Sequence, residues 1–386
     1  MKIIQVHNHY TVFGGEDKMF GAISRILRHK GHSVRLFERS SRDLIGLKGK
    51  TSAFVGGIYS ISAKRAFSKI LSAESPDIVH VHNLFPLISP SILVACREFN
   101  VPVVMCCPNY KLICPTSLHL RNGTVCEMCC GAREYWCILK NCRNNIFESV
   151  GYALRTAVAR NWRLYQDNVT LYVPPTEFVK RRLVHAGFPE NRVIVIPNMV
   201  PLPESGVNGS GGEYVAYAGR ISPEKGINTL LEAARQTELH VCLAGDYSQV
   251  LEIVKKAPQN VQFIGHMNRG QLDEFYRNAR FSAVPSVWFE AFGLVAAEAM
   301  SYGLPVIASK IGGLVEIIDD GVTGSLFEAG NAKELADKMK LLWKNPDLCR
   351  QMGVAGREKV IQEYSEDVYY QRIMDVYRKA IQMNKR

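Results

Sequence analysis

Long apolar runs are what this chain lacks. No uninterrupted apolar stretch reaches the roughly 18 residues of a bilayer-spanning helix, which excludes an integral helical membrane protein. The opening, MKIIQVHNHY, is strand-like and has neither the apolar core nor the cleavage site of a secretory leader, so a cytoplasmic protein is expected. No internal repeat of short period occurs. Interleaved basic and aromatic motifs of the nucleic-acid-binding kind are also missing, which argues against DNA or RNA as a partner. Acidic residues are thin in one half. In residues 1–200 basic side chains outnumber acidic ones about two to one, the remainder is near neutral, and the net +11 therefore sits in the first half. Such a half suits an anionic partner, such as a membrane surface, a lipid diphosphate or an acidic glycan; a surface charged only for solubility is the plainer alternative.

What is present is the composition of a folded protein, 47% hydrophobic and 22% charged over 386 residues, long enough for two cores. Short Val- and Ile-rich runs read as buried parallel strands: KIIQVHN, HSVRLFE, DIVHVHN, VPVVMCC and RVIVIPN, then EYVAYAGR, HVCLAGD, NVQFIGH, RFSAVPS and LPVIASK. Helical patterns such as EDKMFGAISRILRHKG and INTLLEAARQ lie between them. This alternation gives an α/β chain of two doubly wound, Rossmann-like domains. The stretch PNMVPLPESGVNGSGGE breaks the alternation and reads as a linker. The domains are placed at 1–199 and 200–363, with a terminal helix over 364–386. Ligands of such folds bind at the carboxyl ends of the strands, so a central cleft that the two domains face is the expected site.

Three stretches carry chemistry. In GRISPEKGI a strand ends at Gly219 and a helix begins near Ile227, with Arg220 and Lys225 in the loop between, where two cations beside a helix N-terminus suit a diphosphate. In WFEAFGLVAAEAM the run from Phe292 to Met300 reads as a buried helix, with Gly303 closing it. Glu298 inside that helix and Glu290 just before it each need a partner, because an unpaired buried carboxylate is costly. Gly293 permits close approach to the backbone. In FGGEDKM, Gly14 and Gly15 form a turn able to aim amides at a phosphate, or simply a tight turn.

Together these stretches resemble the retaining glycosyltransferases of family four, which have the GT-B fold. The strongest match is Glu290, seven residues, then Glu298, within PSVWFEAFGLVAAEAMSYGLPVIASKIGGLVEII; GRISPEKGI, FGGEDKM and DIVHVHNLFPLISPSIL extend the likeness over nearly the whole chain. The resemblance implies that Glu298 binds the ribose of a nucleotide sugar and Glu290 the transferred sugar. Phe292, Gly293, Leu294 and Val295 would line the donor between them, and Arg220 and Lys225 would neutralise the leaving diphosphate. Gly14, Gly15, Gly219 and His266 complete the donor side. The terminal helix is expected to cross back to the N-terminal, acceptor-binding domain. One departure stands out: where family members often carry a histidine facing the donor sugar, VVMCCPNYKLICP has Pro108, which leaves Asn109 or His82 to serve the acceptor side.

Of 11 cysteines, seven fall between 107 and 142, within an insertion spanning about 106–142. A structural zinc on Cys114, Cys126, Cys129 and Cys142 is one reading; buried free thiols are the other. No cofactor is expected for catalysis. The helical stretch IFESVGYALRTAVARNWRLYQ carries Arg155, Arg160 and Arg163, either as the exposed edge of a core helix or as a contact to an anionic membrane. The expected activity is transfer of a hexose-type sugar from a UDP- or GDP-linked donor to a hydroxyl of a lipid-linked or glycan acceptor, with retention, in bacterial surface polysaccharide assembly at the inner face of the membrane. A nucleotide-sugar hydrolase or epimerase on the same fold is the alternative.

Overall fold

The computed structural model describes residues 1–11, 14–43, 56–203 and 211–385. The chain divides into two compact units: Met1–His119 with Glu127–Ile196 and Tyr369–Arg386, and Leu120–Cys126 with Pro197–Val368. The middle of the Pro/Gly/Ser-rich linker stretch, 204–210, lies outside the described residues.

In the first unit β1 (Lys2–His9), β2 (Ser33–Ser40), β3 (Ile78–Asn83) and β4 (Val103–Cys106) are strands of one sheet. A short antiparallel ribbon follows in sequence, β5 (Leu120–Arg121) with β6 (Thr124–Val125), within the Leu120–Cys126 segment that belongs to the second unit. β7 (Leu171–Val173) then completes the sheet, whose order is β2-β1-β3-β4-β7, with every neighbouring pair parallel. β3 is buried at every residue and β1 at six of its eight, which is why these runs read as continuously apolar rather than alternating. The register of β1 on β3 slips after Val6, pairing His7 with Asn83 and leaving His82 in the irregularity. Helices α1 (Gly15–His29), α2 (Ile61–Glu74), α3 (Ser91–Glu98), α4 (Tyr135–Leu139), α5 (Ile146–Asn161) and α6 (Glu177–His185) belong to this unit.

The second unit has β8 (Tyr214–Ala218), β9 (Val241–Ala244), β10 (Val261–Gly265), β11 (Ala279–Val284), β12 (Val306–Ser309) and β13 (Gly324–Phe327), again parallel, in the order β10-β9-β8-β11-β12-β13. Its helices are α7 (Ile227–Arg235), α8 (Leu251–Lys255), α9 (Arg269–Arg277), α10 (Leu294–Ser301), α11 (Leu314–Ile317), α12 (Ala332–Lys344) and α13 (Pro346–Glu363). The terminal helix α14 (Glu366–Asn384) lies mostly in the first unit, where the Tyr377 hydroxyl sits 2.7 Å from His80 Nδ1. Both sheets are doubly wound, the Rossmann-like α/β architecture expected of the sequence.

The structure differs from the sequence reading at RVIVIPN, at the ribbon β5–β6 and at strands β7 and β13. RVIVIPN forms no named strand: Val193 bridges Tyr172, and the amides of Ile194 and Ile196 donate to the carbonyls of Tyr172 and Pro174. It runs beside β7 and ends in Pro197, which cannot donate to a ladder. The actual strand there, Leu171–Val173, is only three residues long, too short to show a period.

Candidate active site

In the second unit the chain winds from β8 outward through β9 to β10, then returns to the other side of β8 with β11. The strand order therefore switches between β8 and β11, and a doubly wound sheet opens a binding crevice at the carboxyl ends flanking such a switch. The loops leaving those two strands are 219–226 and 285–293, the stretches that hold Arg220, Lys225 and Glu290.

The two loops are locked together. Gly226 has φ +71° and packs so tightly that a Cβ would stand 1.7 Å from the Pro285 carbonyl oxygen, so no side chain is tolerated. The Val287 amide donates to the Glu224 carbonyl at 3.0 Å. Across this seam Lys225 Nζ lies 2.6 Å from Glu290 Oε1, the Ser286 hydroxyl donates to the same oxygen at 2.7 Å, and the Trp288 ring lies under the ammonium at 5.0 Å. Glu290 is only 6% exposed. Burial alone would raise its pKa, but the Lys225 charge beside it, with hydrogen bonds from Lys225 and Ser286, outweighs that cost and holds the carboxyl below its ordinary 4.5. The result is a buried, ionised carboxylate joined to a cation at the mouth of the sheet. Ser286 and Trp288 carried no signal of their own in the sequence.

Arg220 is 64% exposed and reaches Glu224 Oε1 at 3.2 Å, an oxygen that also accepts from the Ser222 hydroxyl. Gly219 follows β8 with φ +144°, and a Cβ there would meet the Tyr217 hydroxyl at 3.4 Å and Val295 of α10 at 3.9 Å. Helix α10 starts at Leu294, later than the sequence suggested, because Gly293 at φ +100° acts as its N-cap; Gly303, also left-handed, follows its end. The helix has no side-chain cap, so its amide-rich, positive end faces the loop that carries Glu290. Leu294, Val295 and Glu298 are half-buried on it. The Phe292 ring instead turns into the core against Tyr364, with centroids 5.4 Å apart, so it lines no ligand surface with its side chain. His266 is exposed after β10, at the edge of the sheet and two strands from β8. The structure thus gathers Lys225 and Glu290 and sets His266 apart.

In the first unit the residues expected to face ligands are mostly engaged in the fold. Gly14 caps α1 in an extended conformation and its amide donates to Asp17 Oδ2 at 3.0 Å, while Gly15 is the first helical residue. His82 is buried, with Nε2 3.3 Å from Gln5 Nε2, and burial together with the nearby His80 and His7 pushes its pKa well below 6.5. Asn109 donates to Glu16 and accepts from the Lys111 amide. All 11 cysteines are free thiols. Of the four in the zinc reading, Cys114 and Cys129 are buried and Cys126 and Cys142 half-buried. Around this segment the ligand atoms that converge within 4.8 Å belong to a different set, His119, Glu127 and Cys130. The three arginines of α5 and its end form no common edge: Arg155 turns inward over Phe85 and Tyr152, Arg160 pairs with Glu134 at 2.7 Å, and Arg163 pairs with Asp167 at 2.9 Å.

Comparison with known proteins agrees with this architecture. Residues 203–359 match the family described as glycosyl transferases group 1, and residues 14–199 match the glycosyl transferase 4-like domain. The chain is similar to MJ1178, an uncharacterized glycosyltransferase of Methanocaldococcus jannaschii, with 34% identity over 309 residues that cover 79% of this chain and 76% of that one. Among solved structures it is similar in fold to the sucrose-phosphate synthase of Thermosynechococcus elongatus, with TM-score 0.75, 19% identity and 98% of each chain covered. It is likewise similar to Anabaena HepE, solved with UDP and glucose, with TM-score 0.68, 17% identity, and 98% of this chain and 100% of that one covered. The chain belongs to the GT4-type glycosyltransferases, enzymes of the GT-B fold.

Proposed function

We propose that the enzyme transfers a sugar, with retention of configuration, from a uridine or guanosine diphosphate sugar to a hydroxyl of a lipid-linked glycan. The observation that carries the donor half is the Lys225–Glu290 pair at the switch point of the second unit. In this reading the bond between the sugar's anomeric carbon and the diphosphate breaks, and the departing negative charge falls on Lys225, Arg220 and the positive end of α10. The acceptor oxygen forms the new bond to the anomeric carbon and gives up its proton to an oxygen of the departing diphosphate. Glu290 holds hydroxyls of the transferred sugar, and Glu298, on the same helix as the diphosphate-facing amides, takes the ribose. That HepE was solved with UDP and glucose supports a nucleotide-sugar donor here. The test is to supply UDP-, GDP- and ADP-sugars with and without glycan acceptors and to read the product by proton NMR. An acceptor-dependent product with the donor's anomeric configuration is expected. Release of free sugar at the same rate without acceptor would mean a hydrolase, and an inverted product would overturn retention.

The lipid-linked half of the proposal rests on the surface of the first unit. No described helix is long and apolar enough to cross a membrane. Yet α4, α5 and the residue after α5 expose a run of large apolar side chains: Phe147 at 81%, Leu139 at 67%, and also Tyr135, Ile146, Leu154 and Trp162. The exposed cations Arg133, Lys140 and Arg143 lie among them in sequence, Arg143 paired with Glu148 at 3.2 Å. Apolar side chains with cations between them suit the interface of an anionic bilayer, where each unpaired cation adds about 1 kcal/mol at low salt. Phe147→Asp combined with Leu139→Asp should therefore release the protein from vesicles rich in anionic lipid. A wild-type protein that ignores such vesicles at low salt would count against the membrane setting.

A further inference from the structure

In the first unit the strand order switches between β1 and β3, just as it does between β8 and β11 in the second. The carboxyl ends of β1, β3 and β4 bring Tyr10, Asn83 and Lys111 together: Lys111 Nζ lies 2.8 Å from the Tyr10 hydroxyl and 2.8 Å from Asn83 Oδ1. Both partners are neutral. The nearest carboxylate, Glu16, has its oxygens occupied by the Tyr10 hydroxyl at 2.7 Å and by Asn109. A second cation faces the same region from α5. The Arg155 guanidinium is held between the rings of Phe85 and Tyr152, at 4.1 and 4.6 Å from their centroids. Its one hydrogen bond among the described residues goes to the Pro115 carbonyl, at 3.1 Å. Lys111 and Arg155 both line one open cleft, whose walls also carry Phe85, Tyr165 and the Arg160–Glu134 ion pair.

Neither cation has a carboxylate within ion-pair distance among the described residues, although Arg143, Arg160 and Arg163 nearby each have one. Withdrawing a cation from water without a direct ion-pair partner is unfavourable, and burial lowers the Lys111 pKa to about 8 although the Glu16 charge beyond the Tyr10 hydroxyl opposes the shift. A guanidinium fixed between two aromatic rings, with most of its five donors unused, is arranged for a planar fork of oxygens from outside the chain. The two cations come from different elements, one after β4 and one from α5. A tetrahedral anion presents oxygens to both at once, which a single carboxylate plane does less well.

We propose that Lys111 and Arg155 form a subsite for a phosphate or diphosphate group carried by the acceptor. The proposal rests on the reading of the first unit as the acceptor-binding half. About 80–140° around α5 from Arg155 lie the exposed apolar residues Phe147, Val150 and Leu154, so one helix can meet a bilayer and hold the head of a phosphate-bearing lipid.

The experiment uses the full chain saturated with UDP or GDP, whichever binds, so that the diphosphate loop of the second unit is occupied. Inorganic pyrophosphate is then titrated into the wild type, Lys111→Gln and Arg155→Gln, and the nucleotide affinity of each is measured separately. Pyrophosphate should bind the wild type and weaken roughly tenfold or more in each variant, while nucleotide affinity stays within about twofold. Equal pyrophosphate affinity in all three chains, or none in the wild type, would overturn the subsite. Absence of nucleotide binding in the wild type would instead strike the donor assignment. Should a variant fail to fold, acetylation of the wild type with and without pyrophosphate replaces it: Lys111 should be protected by the anion, and an unprotected Lys111 would reject the proposal. Displacement of pyrophosphate by glucuronate at equal concentration would show a carboxylate site and reject it as well. Phosphatidylcholine vesicles with and without polyprenyl phosphate separate the sources: retention only on the doped vesicles points to a lipid-linked phosphate, and pyrophosphate binding without retention points to a soluble phosphorylated acceptor.

Discussion

Replacing Glu290 with alanine is expected to lower the rate of sugar transfer about a hundred- to a thousandfold, the usual cost of removing one group that stabilises the transition state. Nucleoside diphosphate affinity should stay the same or become tighter. The two halves of this expectation have one structural origin. Without ligand, the Glu290 carboxylate holds Lys225 at 2.6 Å, and the Ser286 hydroxyl shares the same oxygen. A donor diphosphate must draw on the same ammonium, so the pair competes with the donor for Lys225. Removing Glu290 ends that competition and frees the cation for the diphosphate. The hydroxyl contacts to the transferred sugar vanish at the same time, and these matter most when positive charge develops on the sugar ring. Steady-state turnover and calorimetric nucleotide binding, measured on the same preparation, separate the two effects. Equal losses in both would place Glu290 in general donor binding or in the fold alone.

Replacing Lys225 with alanine is expected to weaken nucleoside diphosphate binding ten- to a hundredfold, since one charge-assisted contact is worth about 1.5–3 kcal/mol. The position amplifies the effect. The Lys225 side chain is 18% exposed, partly shielded from water over the Trp288 ring, so its charge is screened less than that of a surface lysine. Arg220→Ala should cost less, because Arg220 is 64% exposed and already paired with Glu224. Lys225→Ala also leaves Glu290 buried without its counter-charge, so the folded protein should melt at a lower temperature. That stability loss is separable from the binding loss, since affinity is read on the folded chain.

The site in the second unit was legible because its signals are local. Cations in the loop after one strand, an acidic residue in the loop after another, and glycine at the start of a helix are all visible in a linear reading. Ser286 and Trp288 were not, because their places beside the Lys225–Glu290 pair follow from the packing of two loops distant in sequence. The first unit was harder. With Pro108 in place of the family histidine, His82 was expected to serve the acceptor side, but a parallel strand covered on both sides buries every residue, and the polar ones find remote partners. His80 meets Cys106 and Tyr377, and His82 meets Gln5. Tyr377 stands nearly three hundred residues away, beyond any local pattern. The arginines of α5 could have been sorted by arithmetic, since residues five apart on a helix point about 140° apart at 3.6 residues per turn. Arg155 and Arg160 could never have shared an edge. Strands as short as Leu171–Val173 and Gly324–Phe327 offer too few residues for a period to emerge.

The central claim is that the loops after β8 and β11 hold a nucleoside diphosphate through Lys225. Calorimetric titration of UDP and GDP into the wild type and Lys225→Ala tests it most directly. At least one of the two nucleotides should bind the wild type at about one per chain and lose ten- to a hundredfold in affinity in the variant. Affinity that is the same in both chains would contradict the account and place the diphosphate elsewhere.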